Sequence, residues 1–233
     1  QKAEGIGWTG VPLIQDGRIQ YLGIFNDPND LGMLFVIVLP MTFYLASRGG
    51  LMGLRRLFWL VAAGILIYAI YLTDSRGTLL ATAALAGLFA WRRFGVFVAC
   101  LFGSVGLGAM MLLPSRLQEL EVGEESAHGR VEAWYQGLQM FISSPLYGIG
   151  TNQFSDNYRL TAHNSFVLVL AETGIIGFTI WVAVLAYGFR MVLAMLRHPL
   201  GTPDSPGLVA DEPRVALTLL LSLAGNMVCA FFL

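Results

Sequence analysis

The chain has 233 residues, 56% hydrophobic and only 12% charged, with a mean hydropathy of +0.66. Soluble domains carry about 25% charged residues, so the composition excludes an ordinary globular enzyme and fits a polytopic membrane protein. A net charge of −1 gives no bulk electrostatic case for nucleic acid, and none is expected as a partner.

A bilayer-crossing helix needs about 20 apolar residues. In chain order, residues 1–30 read as an extracytoplasmic loop. Asn29-Asp30 cap a first span from Leu31 to Ser47. A second runs from Leu57 to Thr73, a short third from Thr78 to Trp91, and a fourth from Phe94 to Leu113, ended by Pro114. Residues 31–113 thus hold four transmembrane helices. Residues 114–162 form a large loop, in which Val131, Trp134, Tyr135, Leu138, Phe141 and Ile142 recur at helical spacing. That amphipathic helix is expected to end at Pro145 and to lie on the membrane surface or cap the bundle. Residues 163–233 hold two more spans, from His163 to about Leu196 and from Val215 to Leu233, joined by a mobile cytoplasmic loop at 197–214. Gly174 and Gly177 are expected to bend the long fifth span. The chain opens at Gln1 and stops in the apolar run Phe231-Phe232-Leu233, so a fragment of a longer chain is expected. Cys100 and Cys229 stand far apart in apolar stretches and read as small buried hydrophobes.

Arginine placement sets the orientation. Arg48, Arg55, Arg56, Arg92, Arg93, Arg190, Arg197 and Arg214 fall on one side if the spans alternate. The positive-inside rule makes that side cytoplasmic. Arg76, Arg116, Arg130, Arg159 and His163 then face the opposite side.

The pattern His163-Asn164, nine residues, Gly174, two residues, Gly177 stands where the polar loop meets the fifth span. An unperturbed histidine titrates near 6.5, which suits a general base, and a helix start keeps the ring neutral. The alternative is an interfacial histidine that only caps the helix beside Asn164. Guanidinium forks bind diphosphate oxygens bidentately. Arg76 is pinned in the turn Asp74-Ser75-Arg76-Gly77, and Arg130 at a helix start opposes the dipole, so local stability does not explain it. Arg159 lies four residues before His163. Each has a plain alternative: pairing with Asp74, pairing with Glu132, or contact with lipid headgroups. Glu172 is an acid inside a span, either functional or a partner for backbone donors freed near Thr173-Gly174. Residues 25–32 form a capped turn in which Asp27 either rims a sugar site or simply caps the helix. His128 and His198 read as solvated. No nucleotide loop or metal-ligand spacing stands out, so no cofactor and no metal are expected.

Taken together, these residues resemble the O-antigen ligase and polymerase superfamily of bacterial membrane glycosyltransferases. The resemblance covers most of the chain. It is carried by residues 25–31, Asp74-Ser75-Arg76-Gly77, Gly129-Arg130 through Trp134, Ser144 through Gly150, and His163-Asn164 with Gly174 and Gly177. It implies an all-α integral membrane protein, a polytopic transmembrane helix bundle of the GT-C-like kind. It also implies a multi-pass enzyme of the bacterial inner membrane whose site faces the periplasm. Its donor would be an undecaprenyl diphosphate-linked glycan and its acceptor a hydroxyl on a glycan, lipid or protein. His163 would be the catalytic base, with Arg76, Arg130 and Arg159 on the diphosphate and Asn164, Asp27 and Glu172 as acceptor contacts or support. The turn at 26–30 resembles members found in exopolysaccharide clusters more than lipopolysaccharide ligases. The alternative in another class is a transporter or flippase of lipid-linked saccharides. Family members usually have more spans than the six expected here.

Overall fold

A computed structural model describes residues 14–15, 18–19, 27–48, 50, 53–111, 120–158, 161–197 and 206–232. A two-residue antiparallel pair, β1 (Ile14–Gln15) and β2 (Arg18–Ile19), precedes an all-helical remainder. The helices are α1 (Pro28–Ser47), α2 (Leu54–Leu72), α3 (Arg76–Phe94), α4 (Val96–Met111), α5 (Leu120–Ser143), α6 (Phe154–Asn157), α7 (Ser165–Arg197) and α8 (Pro206–Phe232).

Local chemistry starts three of these helices. Asp27 Oδ1 accepts from the Asn29 amide at 2.6 Å, and Pro28 fixes the first helical residue of α1. Ser75 Oγ accepts from the Thr78 amide at 3.3 Å to start α3. Asn164 Oδ1 accepts from the amides of Phe166 and Val167, at 2.9 and 3.2 Å, to start α7.

Among the described residues, four helices are long and apolar enough to cross a membrane: Pro28–Ser47, Leu54–Leu72, Ser165–Arg197 and Asp211–Phe231. The third and fourth expected spans are helices too, but weaker ones by this measure. Arg76, Arg92 and Arg93 load the ends of α3, and α4 has 16 described residues. The last helix begins earlier than Val215. Pro206 opens it inside the stretch expected to be a mobile loop, and Asp211 ties it to the end of α1 through Arg48 at 2.9 Å.

In lipid, small residues let helices approach and polar ones join them. α1 packs on α2, α3 and α8, with Ala63, Ala81, Leu85, Leu221 and Cys229 in the shared core. Ser222 Oγ donates to the Ile37 carbonyl at 2.7 Å, joining α8 to α1. α7 packs on α8 and α5.

The fifth span is broken rather than bent. Gly174, at φ 64 and ψ −168, is non-helical inside α7. Asn164 reaches Phe231, and a Cβ on Gly188 would lie 3.9 Å from Leu223. Phe231 and Leu223 are about 12 Å apart along α8, whereas a straight helix would separate Asn164 from Gly188 by about 36 Å. A straight α7 cannot make both contacts. The second segment, from Ile175 to Arg197, is about 34 Å long and by itself matches a ~30 Å hydrocarbon core.

Candidate active site

The helix starts of α1, α3 and α7 lie at the same end of the bundle. Gly32 of α1 lies against Thr78 of α3. Asn164, just ahead of α7, is buried and donates from Nδ2 to the Phe231 carbonyl at the end of α8, at 3.2 Å. One amide side chain therefore caps α7 and ties it to α8.

His163 precedes this cap and is half-buried, in a left-handed conformation at φ 47. Histidine tolerates that region better than most residues. Its pKa is lowered from 6.5, first by burial and then by the Arg130 guanidinium, while Asp27 acts in the opposite direction. The imidazole is thus held neutral within electrostatic reach of Arg130 on α5 and Asp27 on α1.

α5 presents three faces. Val131, Tyr135, Leu138 and Ile142 form an exposed apolar stripe, and Glu132, Gln139 and Ser143 an exposed polar one. Ala133 and Gly137 are buried, and Gly137 faces α7. A Cβ on Gly137 would come within 2.5 Å of Val167 Cγ1, so the close approach requires glycine. This corrects part of the amphipathic reading, as does the start of α5 at Leu120, which puts Arg130 inside the helix and not at its start. Trp134 and Phe141 leave the apolar stripe and are half-buried. Trp134 Nε1 donates to the Ala162 carbonyl at 2.9 Å, and its ring meets Phe231 edge-on at 6.0 Å. Periodicity alone could not separate Trp134 from its neighbours.

Glu172 binds backbone, but not the donors beside it. Its Oε2 accepts from the Asn152 amide at 2.9 Å and its Oε1 from the Phe154 amide at 3.1 Å. The backbone at the Gly174 break is also satisfied from a distance. Ile149 and Gly150 donate to the carbonyls of Ala171 and Glu172, both at 3.0 Å. Ile175 and Ile176 donate to the carbonyls of Pro145 and Leu146, at 2.9 and 3.4 Å. The segment 145–150 is thus inserted into the break, a role that nothing in the local sequence announces.

Arg76 is the first residue of α3, beside the Ser75 cap, which places its backbone at this end. Its side chain lies outside the described residues, as do Arg159, Arg116 and His198 and the side chain of His128. Asp27 is described, whereas Phe25 and Asn26 before it are not. Among the described residues no group of three His, Cys, Asp or Glu could hold a metal ion.

The fold defines a polytopic helical membrane protein in which a neutral imidazole, a guanidinium and three helix starts occupy one end. The family profile described as O-antigen ligase matches residues 61–182, just over half of the chain. The chain belongs to the O-antigen ligase family. The matched range holds Arg76, Arg130, Arg159, His163, Asn164 and Glu172, and leaves out Asp27. The chain is also 27% identical, over 226 residues, to the exopolysaccharide production protein ExoQ of Rhizobium meliloti (strain 1021). That match covers 82% of this chain and 51% of ExoQ, so the chain spans about half the length of this curated relative.

Proposed function

We propose that this chain carries the reacting end of a membrane glycosyltransferase that works at the periplasmic face of the bacterial inner membrane. Its donor is a glycan on undecaprenyl diphosphate and its acceptor a sugar hydroxyl. The hydroxyl gives its proton to the neutral His163 ring as its oxygen attacks the anomeric carbon. The bond from that carbon to the diphosphate breaks, with inversion, and the electron pair leaves on the diphosphate. Arg76, Arg130 and Arg159 bind the diphosphate and stabilise its growing charge. The starts of α1, α3 and α7 add partial positive charge of about +0.5 each on the same side. The diphosphate leaves as a stable anion, so the mechanism calls for no general acid.

The observation that carries this reading is a half-buried imidazole held neutral with a guanidinium in electrostatic reach. An ammonium-like imidazolium could not accept a proton, and a lone imidazole would have no anion site beside it. The relationship to an exopolysaccharide production protein favours a polymerase-like acceptor. A lengthening ladder of products, against one fixed attachment, separates polymerase from ligase.

One observation favours a transporter of lipid-linked saccharides: the break at Gly174, since transporters build midplane sites from broken helices. Here the backbone groups at the break are bonded to residues 145–150 instead of being offered to a substrate. That supports the enzyme.

The test uses the full-length protein in membranes supplied with lipid-linked donor. His163→Ala is expected to lower transfer by about 10²–10⁴-fold, the usual contribution of a general base. Arg130→Ala is expected to weaken donor binding as well as turnover. Wild-type transfer in His163→Ala, or movement of the donor across the bilayer with no covalent product, ends this reading.

A further inference from the structure

We infer that Glu172 is the positioning residue for His163, acting by fixing Asn152 and Phe154 and, through the Phe154 ring, Ala162. This rests on the role given to His163 above and adds a residue to its machinery.

The connection rests on contacts at described residues near both ends of this segment. The carboxylate takes the amides of Asn152 and Phe154, one on each oxygen. Phe154 is fully buried and packs with Ala162 and Ala171. Ala162 directly precedes His163, and its carbonyl is held by Trp134. Glu172 therefore fastens Asn152 and Phe154, the Phe154 ring packs against Ala162, and the indole holds Ala162 from the other side. The left-handed backbone of His163 is the last link before the Asn164 cap.

Glu172 also sits two residues before the Gly174 break. Its own carbonyl accepts from Gly150 while its side chain reaches beyond to Asn152 and Phe154. Main chain and side chain of one residue thus bind the same returning strand at three points. A residue that only relieved the broken helix would need none of the side-chain bonds, because the backbone at the break is already paired with residues 145–150. The carboxylate is surplus to the break and specific to the segment that ends at His163.

The environment of His163 gives a direct readout. Among the described residues, the charged groups acting on it are Arg130 from α5 and Asp27 at the start of α1. α8 brings no charged side chain to this end, since residues 215–233 contain none. Burial is the largest influence on the ring. Releasing the segment exposes the ring and lets its titration rise toward 6.5.

The experiment compares full-length wild type, Glu172→Gln and Ser222→Ala in membranes. Ser222 bonds α8 to α1 away from the site, so its variant reports general loosening. Glu172→Gln keeps one acceptor and turns an amide NH2 toward the second backbone donor. Transfer from lipid-linked donor gives kcat and KM. Carbethoxylation with diethyl pyrocarbonate across pH, mapped by mass spectrometry among His128, His163 and His198, gives the titration of His163 whatever the activity.

For Glu172→Gln, kcat is expected to fall about 100-fold, the effect of a misplacement near 1 Å. KM for the donor stays within about threefold, and His163 titrates closer to 6.5. Ser222→Ala leaves the titration unmoved. An unchanged His163 titration in Glu172→Gln overturns the inference, whether or not activity falls. Should Glu172→Gln fail to fold, Glu172→Asp retains both acceptors on a shorter stem and carries the same two readouts. If His163→Ala keeps full activity while Glu172→Gln still moves the titration, the positioning stands and the catalytic role of His163 fails.

Discussion

At the scale of single residues, His163 and Asn164 divide the work. The lowered pKa of His163 keeps the ring neutral at pH 7, and the activity as a base proposed for it is lost only as pH falls below 6.5. Stability follows the same sign. The unfolded chain takes up the proton near 6.5, before the folded one, so this contribution is present above that pH and is lost as pH falls toward the folded value. The acid limb of the transfer rate is therefore expected below 6.5. Arg130→Gln removes an influence that lowers the pKa and is expected to move the limb up, whereas Asp27→Asn is expected to move it down. A limb unmoved by either variant would separate the rate from this imidazole. Asn164 uses both ends of its amide. Asn164→Asp keeps the cap but sets two acceptors against each other at Phe231, and is expected to destabilise by about 1–3 kcal/mol in thermal unfolding.

At the scale of elements, the broken α7 and the three-faced α5 shape the site. A Cβ at Gly174 would lie 2.5 Å from the carbonyl carbon and oxygen of Leu146, in a backbone region essentially reserved for glycine. Gly174→Ala is expected to cost about 1–3 kcal/mol for the backbone conformation, and more for expelling the inserted loop. Loss of folded protein from membranes checks it. Gly137→Ala is expected to push α5 from α7 at an overpacking cost of about 1–3 kcal/mol, read as a lower unfolding temperature. The helical period of α5 was visible from Val131 to Ile142, but the face turned to α7 was not. Gly137, which makes that contact, gives no hydrophobic signal. The glycines at 174 and 177 indicate a bend, whereas the helix breaks at Gly174. The depth of the break was hidden because the compensating donors and acceptors lie some twenty to thirty residues upstream.

At the scale of the whole molecule, alternating spans bring the starts of α1, α3 and α7 to one end and the Arg48–Asp211 pair to the other. With Cys100 and Cys229 replaced by Ala, an impermeant maleimide is expected to label Ser155→Cys from the periplasm and Gly50→Cys only from the cytoplasm. Labelling of both from one side would overturn the orientation proposed from the arginines.

The sequence by itself determined the membrane class, the position of most helices, and the His163-Asn164 start of α7. These follow from composition, helical period and capping, which act over a few residues. Only the tertiary structure decided that Asn164 ties α7 to α8, that Trp134 turns inward to Ala162, and that Glu172 holds the amides of Asn152 and Phe154. Those outcomes depend on where distant backbone donors and acceptors go once a helix breaks. In hydrocarbon such groups must find partners within the protein, and the spacing of residues along the chain does not say which partners come within reach.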